Sequence, residues 1–167
     1  NKVAEIDYIE AIYREYGNDI LRMSYLYLKD KHLAEDALQE TFVRVIRFYS
    51  KFNHKSSIKT WVTQIAINVC KDMLRSRTSE VLDYEDRAVD IADEHGNAGF
   101  DDVENSSMLT PVIQNMEEEM RTCVILFYYQ DLSTREIEKI TGIKRSTVEF
   151  RLKEARKLLR GSLKGVV

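Results

Sequence analysis

At 167 residues, 44% hydrophobic and 10% aromatic, the chain has room for one or two compact units but not for a large single enzyme domain. Six Gly and one Pro are too few for the tight turns of an all-β protein, and no apolar run approaches the ~20 residues that span a bilayer. The formal charge of −3 weighs against a nucleic-acid partner only as an average, because it divides into +3 over residues 1–78, −9 over 79–106 and +3 over 107–167.

In chain order, residues 1–14 read as an amphipathic helix carrying Glu5, Asp7 and Glu10. They lack the basic stretch followed by an apolar core that marks an export signal, so a cytoplasmic protein is expected. Ile6, Ile9, Ile12, Tyr13 and Tyr16 form its stripe, and residues 20–28 form a second helix after a break at Gly17-Asn18. A third stripe runs through Leu33, Ala37, Leu38, Thr41, Phe42, Val45, Ile46, Tyr49 and Phe52. A fourth runs through Ile58, Trp61, Val62, Ile65, Ala66, Val69, Cys70, Met73 and Leu74. Residues 1–78 are therefore expected to form a bundle of about four helices. Cys70 and Cys123 lie inside apolar patterns without paired CxxC spacing and read as small buried hydrophobes.

A short polar loop, 53–57, separates the third and fourth stripes. Residues 44–77 hold Arg44, Arg47, Lys51, Lys55, Lys59, Lys71, Arg75 and Arg77 against Asp72 alone, a local balance of +7. Such a concentration of cations is a footprint for phosphates, and the bland alternative is a solvated basic face. Lys59, Thr60, Gln64, Lys71 and Arg75 fall largely off the apolar stripe, while Trp61 sits at its edge, where an indole can stack on an unpaired base.

Residues 79–106, acidic and weakly periodic, have the composition of a solvated linker between folded units. The second unit opens at Thr110-Pro111, read as an N-cap and first helical residue, with apolar positions through Met116, Met120, Cys123, Val124 and Phe127. Ser133 and Glu136 make a capping box, Thr141-Gly142-Ile143 a turn, and Ser146 and Glu149 a second box. The following helix buries Val148, Leu152, Ala155 and Leu159 and carries a balance of +6 over residues 144–164. Two short helices about a glycine turn, the second basic, are the pattern of a helix-turn-helix, whose second helix enters the major groove. The expected fold class is all-α, with two small helical domains joined by an acidic linker.

Three stretches together carry a family resemblance. Asp36-Ala-Leu-Gln-Glu-Thr-Phe42, then Trp61-Val-Thr-Gln-Ile-Ala-Ile-Asn68 with Asp72, and finally Leu132-Ser-Thr-Arg-Glu-Ile137 with Gly142, Ile143, Ser146, Val148, Arg151, Ala155 and Arg156, resemble the extracytoplasmic-function sigma factors of the sigma-70 superfamily. The resemblance covers both units in order. It implies that residues 1–78 are region 2, which docks on the clamp helices of the largest RNA polymerase subunit and melts the minus-ten element. Residues 107–167 are then region 4, which reads the minus-thirty-five element and touches the flap of the second-largest subunit.

Asp36, Gln39 and Glu40 match the polymerase-docking motif. The rival reading of Glu35, Asp36 and Glu40 as metal ligands is weak, because His32 precedes Glu35 in the reverse of the Glu-x-x-His order and no second ligand helix follows. Asn53, Lys55, Ser56 and Ser57 match the loop that captures a flipped base. Lys59, Thr60, Trp61, Gln64, Asn68 and Lys71 match or neighbour positions of its DNA-facing helix. Asn68 has two readings, DNA contact or a tie between loop and helix. Lys144, Arg145, Ser146, Thr147, Arg151 and Lys153 are the expected minus-thirty-five contacts, with Arg156 and Lys157 on phosphates or the flap.

Three positions depart from the family pattern: Ile58 in place of Phe, Met116-Glu117 in place of Leu-Pro, and Glu149 in place of Lys. Glu149 is read first as the third residue of a capping box, and second as an acceptor for a cytosine amino group. With no Gly-rich phosphate loop in the chain, duplex opening is expected to use base capture rather than nucleotide hydrolysis. The expectation is a specificity subunit rather than an enzyme, with no cofactor, no metal and no small-molecule substrate. It would be restrained by an anti-sigma factor, commonly membrane-anchored, in an envelope or extracellular stress response. The competing class is an autonomous helix-turn-helix regulator, which would footprint DNA without core polymerase. The acidic block is expected to shield free protein from DNA or to follow the polymerase cleft.

Overall fold

The computed structural model describes residues 1–83 and 108–164, and every regular element among them is helical. Helices α1 (Lys2–Leu28), α2 (Lys31–Phe48) and α3 (Ile58–Asp83) form the first unit, with a 3-10 turn at Tyr49–Lys51. The second contains α4 (Thr110–Gln114), α5 (Glu118–Val124), a π-helical turn at Ile125–Tyr129, α6 (Thr134–Thr141) and α7 (Arg145–Leu163). Most of the acidic block, 84–107, lies outside the described residues. Its first part does not begin a linker, because α3 continues through 79–83.

The first unit has three long helices rather than about four. Gly17-Asn18 does not break α1: Gly17 is buried against the Tyr13 ring and the helix runs on to Leu28. A helical glycine costs about 1 kcal/mol relative to alanine, less than is recovered by burying Ile20, Met23, Leu26, Tyr27 and Leu28 beyond it. The break comes later, at Lys29, which adopts a left-handed conformation (φ 66°). Asp30 then caps α2 by accepting from the Leu33 amide at 3.0 Å. This tight corner makes α1 and α2 neighbours along their length.

Residues 20–28 are apolar or small almost all round, the signature of a helix covered on more than one side. Accordingly α1 packs against α2 and α3 on one side and against α4, α5 and the π-helical turn on the other. One contiguous core results, including Met23 and Tyr27 of α1, Val62 and Ile67 of α3, and Ile113, Leu126 and Ile137 of the second unit.

The second unit departs from the sequence reading in two ways. Thr110 does not cap α4; it is buried, and Leu109 holds the cap position without a side-chain bond. The apolar run to Phe127 is not one helix, because the chain turns over 115–117. Arg121, 4% exposed, fastens that turn, its Nη1 donating to the carbonyls of Gln114 (3.3 Å) and Met116 (3.0 Å). Burial lowers the pKa of this guanidinium, and the Tyr27 ring 5.1 Å away supplies a compensating cation–π contact.

The helix-turn-helix forms as expected at its first half. The Ser133 hydroxyl accepts from the Glu136 amide at 3.1 Å and Glu136 returns a bond from the Ser133 amide at 3.2 Å, completing the box. Gly142 ends α6 in the left-handed region (φ 77°), where a side chain is strained. The second box is absent. Lys144 occupies the cap position of α7 without a side-chain bond, and the Arg145 amide donates instead to Glu138 of the preceding helix.

Candidate nucleic-acid and polymerase interface

Three surfaces carry the candidate residues. Along α2, Asp36 and Gln39 are exposed, while Glu40 is half-buried and accepts from Arg44 at 3.1 Å, which also reaches Asp72 at 3.2 Å. The same exposed stripe continues through Val43 (46% exposed) and Ile46 (59%). Ile46 thus does not share the buried stripe with Val45, which is fully covered. An acidic start followed by two exposed aliphatic side chains suits a partner helix that is both basic and apolar. The 3–4 spacing alone cannot say which of two adjacent apolar residues turns inward, so it puts Ile46 on the buried stripe and leaves Val43 unassigned.

The second surface is the loop 53–57 and the first turns of α3. Here the chain is held locally: the Asn53 side chain accepts from the Lys55 amide at 3.1 Å, His54 is left-handed (φ 58°), and Ser57 caps α3 by accepting from the Thr60 amide at 3.1 Å. Beneath the loop, the Phe52 ring packs in tilted contact with His54 (4.5 Å between centroids) and Trp61 (4.8 Å), with Tyr49 6.5 Å from the indole. Asn53, Lys55 and Ser57 are exposed; Ser56, Lys59, Thr60, Trp61 and Gln64 are half-buried. Loop, Thr60, Trp61 and Gln64 line one cavity of about 490 Å³, closed on its far side by Glu136, Lys139 and Ile140 of α6. Asn68 is exposed, and among the described residues no hydrogen bond ties it to the loop. Lys71 is not part of this group; it lines a separate cavity of about 390 Å³ beside Glu117, Glu118 and Glu119.

The third surface is α7. Lys144, Arg145, Ser146 and Lys153 are exposed, and Thr147 is half-buried. Arg145 Nε lies 3.1 Å from both Thr134 Oγ1 and Glu149 Oε1, so Glu149 forms an ion pair one turn back rather than a helix cap. Arg151 is half-buried and reaches across to α5: its Nε donates to Glu119 at 3.2 Å, and its Nη1 lies 3.8 Å from Glu117. It positions α7 against α5. Phe150, 55% exposed between these polar residues, is the feature the sequence reading passed over, although an aromatic off the buried stripe was visible there. An exposed ring at a recognition helix can contact a thymine methyl group. Further along, Arg156 donates to the Tyr128 hydroxyl at 3.3 Å and borders an apolar groove of about 520 Å³ lined by Leu109, Ile113, Leu159 and Leu163.

Both cysteines are free and buried. Burial pushes the Cys70 thiol up to about 12, with its hydrogen bond to the Ser24 hydroxyl as a lowering influence, and pushes Cys123 up to about 11. No helix among the described residues is long and apolar enough to cross a membrane.

Residues 12–80 match the family model for Sigma-70 region 2, and residues 108–159 match that for Sigma-70, region 4. The ECF RNA polymerase sigma factor SigM of Bacillus subtilis is 32% identical over 152 residues, covering 91% of this chain and 93% of that protein. The RNA polymerase sigma factor YlaC of the same organism is 30% identical, covering 90% and 88%. Among solved structures, the sigma factor RpoE in complex with the anti-sigma factor NepR from Bartonella quintana matches at a TM-score of 0.76, with 20% identity over 95% of this chain and 98% of that one. CnrH in complex with the cytosolic domain of CnrY matches at 0.69, with 16% identity over 100% and 92%. With both sigma regions in order on an all-helical fold, the chain belongs to the extracytoplasmic-function RNA polymerase sigma factors of the sigma-70 superfamily.

Proposed function

We propose that this sigma factor opens promoters with the surface formed by loop 53–57 and the start of α3, while α2 holds the polymerase and α7 reads upstream DNA. The observation that carries the reading is the packing of Trp61 against Phe52, ring centroids 4.8 Å apart with planes tilted by 39°, beneath a locally fixed, basic loop. An indole held at the edge of such a loop offers a platform for an unstacked base, and stacking of this kind needs no nucleotide hydrolysis. Asn53, Lys55, Ser56, Ser57, Lys59, Thr60, Gln64 and Asn68 then meet the minus-ten strand, and Lys71 stands outside that contact.

Asp36, Gln39 and Glu40 dock on the clamp helices of the largest subunit, with Val43 and Ile46 extending the contact. Lys144, Arg145, Ser146, Thr147 and Lys153, together with Phe150, face the minus-thirty-five element. Arg156 and the groove beside it receive the flap of the second-largest subunit. The first unit acts as the melting unit and the second as the upstream reader, with the acidic block that follows α3 as the tether between them. Each unit alone has a net charge of only +3 and binds DNA weakly; holding both on polymerase makes the second contact intramolecular. The protein works in the cytoplasm as a specificity subunit and not as an enzyme. A fold neighbour solved with an anti-sigma factor supports control by such a partner; the setting we propose is an envelope or extracellular stress response.

Trp61→Ala is expected to lower permanganate reactivity of the melted promoter at least tenfold while leaving co-purification with core polymerase within about twofold. Equal losses in both measurements overturn the assignment.

A further inference from the structure

The ion pair between Arg145 and Glu149 is poorly placed to steady a helix. Arg145 is the first residue of α7, and Glu149 lies one turn further on, 3.1 Å away. A pair that serves stability has the opposite order, acid first and cation after, because a helix start carries positive partial charge. Both side chains are about half exposed, where such a pair contributes little.

What the pair does achieve is to fix a guanidinium. The Arg145 backbone amide donates to Glu138 of α6, and its Nε lies 3.1 Å from both Glu149 Oε1 and Thr134 Oγ1. Thr134 opens α6 directly after the capping box of Ser133 and Glu136, so both helices of the helix-turn-helix hold this one residue. Every hold engages the main chain or Nε; among the described residues, Nη1 and Nη2 have no hydrogen-bond partner. One edge of the guanidinium, its two terminal amino groups, is left free. Such a fork fits two acceptors side by side, and in the major groove that pattern belongs to guanine, through O6 and N7. Fixing the fork beforehand removes rotamer freedom that binding would otherwise have to remove.

Charge separates guanine from the competing target, a phosphate. Arg145 and Glu149 together are neutral, and the carboxylate repels a phosphate oxygen while leaving an uncharged base edge unopposed. Lys144 and Lys153, both exposed, supply the attraction for the backbone. We propose that Arg145 reads a guanine of the upstream element with its two terminal amino groups, and that Glu149 is a positioning residue acting through it. The inference rests on the assignment of α7 to upstream DNA.

The full chain bound to core polymerase selects templates from a promoter library randomised in both elements, and the retained templates are sequenced. Arg145→Ala, Glu149→Ala, Glu149→Gln, the double variant Arg145→Ala with Glu149→Ala, and Phe150→Ala are compared with the parent. All the substituted side chains are exposed, so each variant keeps the fold. The parent is expected to enrich guanine at one upstream position, and Arg145→Ala to lower that enrichment about tenfold. Glu149→Ala should lower it at least threefold at the same position, whereas Glu149→Gln, which still offers Nε an oxygen, should stay within about twofold of the parent. The double variant should match Arg145→Ala, because a residue that acts through Arg145 has no effect once Arg145 is gone. Undiminished enrichment in Glu149→Ala overturns the positioning role, and so does a further loss in the double variant, which marks direct contact of Glu149 with a base. Should Phe150→Ala relax one position while Arg145→Ala relaxes none, the guanine reading falls and the assignment of α7 stands. Upstream selection unchanged in every variant overturns that assignment and the inference with it.

Discussion

Arg151 and Trp61 illustrate what a single side chain does and does not declare. Trp61 was legible because its position at the margin of a strong apolar stripe fixes it half in and half out of the core. Arg151 was not: its partners Glu117 and Glu119 come from another helix, and only packing of α7 on α5 brings them within 4 Å. The cysteines are simpler. Their apolar surroundings foretold burial, and burial alone raises both thiol pKa values, since the thiolate is the form that loses hydration. The sign follows: a raised native pKa keeps its stabilising contribution below the unfolded value near 8.5 and loses it as pH rises towards 11–12. Tyr27, also raised by burial, adds to the same alkaline loss above about pH 10. Neither cysteine is therefore expected to react with a thiol reagent at pH 8 in the native protein, and both should react in urea. The stability midpoint should fall as pH is raised beyond about 9. Labelling followed by mass spectrometry, and urea titrations across that range, check both statements.

Among the elements, the two serines that open α6 and α7 make a controlled pair. The same spacing predicts a capping box at each, Ser133 with Glu136 and Ser146 with Glu149. Only the first forms. In the second, Glu138 takes the Arg145 amide and Glu149 pairs with the Arg145 side chain, so the helix start is satisfied from the neighbouring helix across the turn. Ser133→Ala should cost about 1 kcal/mol of unfolding free energy, whereas Ser146→Ala should change it by no more than a few tenths. Thermal or urea melts of the two variants, run side by side, decide the matter. The long first helix has a related explanation. Gly17-Asn18 is a sound local break signal, but the apolar residues beyond it gain more from continuing in register under α2 and α3 than the glycine costs. Local propensity is a prior that burial can override.

At the scale of the molecule, α1 serves both halves. Its residues 20–28 contact the first unit on one side and the second on the other, and the core they join is continuous. Loss of either half would leave the apolar surface of α1 exposed, so the docked chain should unfold in one cooperative step. Trp61 fluorescence, which senses the first unit and the cleft, and far-UV circular dichroism, which senses every helix, are expected to give coincident transitions. Two separated midpoints would show that the halves melt independently. The charge pattern also finds its place at this scale. Across the cleft Asp131 of the second unit lies 4.0 Å from Lys59 of the first, a pairing that block counts alone do not contain.

The sequence by itself determined the helical class, the division into two units about an acidic block, the helix-turn-helix with its glycine turn, and the family. All of these are written in residue type and short-range spacing, which act within a few turns of chain. Tertiary structure alone decided that α1 is unbroken, that Arg151 and Glu149 are engaged within the protein, and that α6 faces the Trp61 surface. Each depends on groups brought together across a fold: Thr60 and Glu136 are 76 residues apart in the chain and 3.3 Å apart in space. Periodicity shows that a helix has a buried face; it does not show which other helix will cover it.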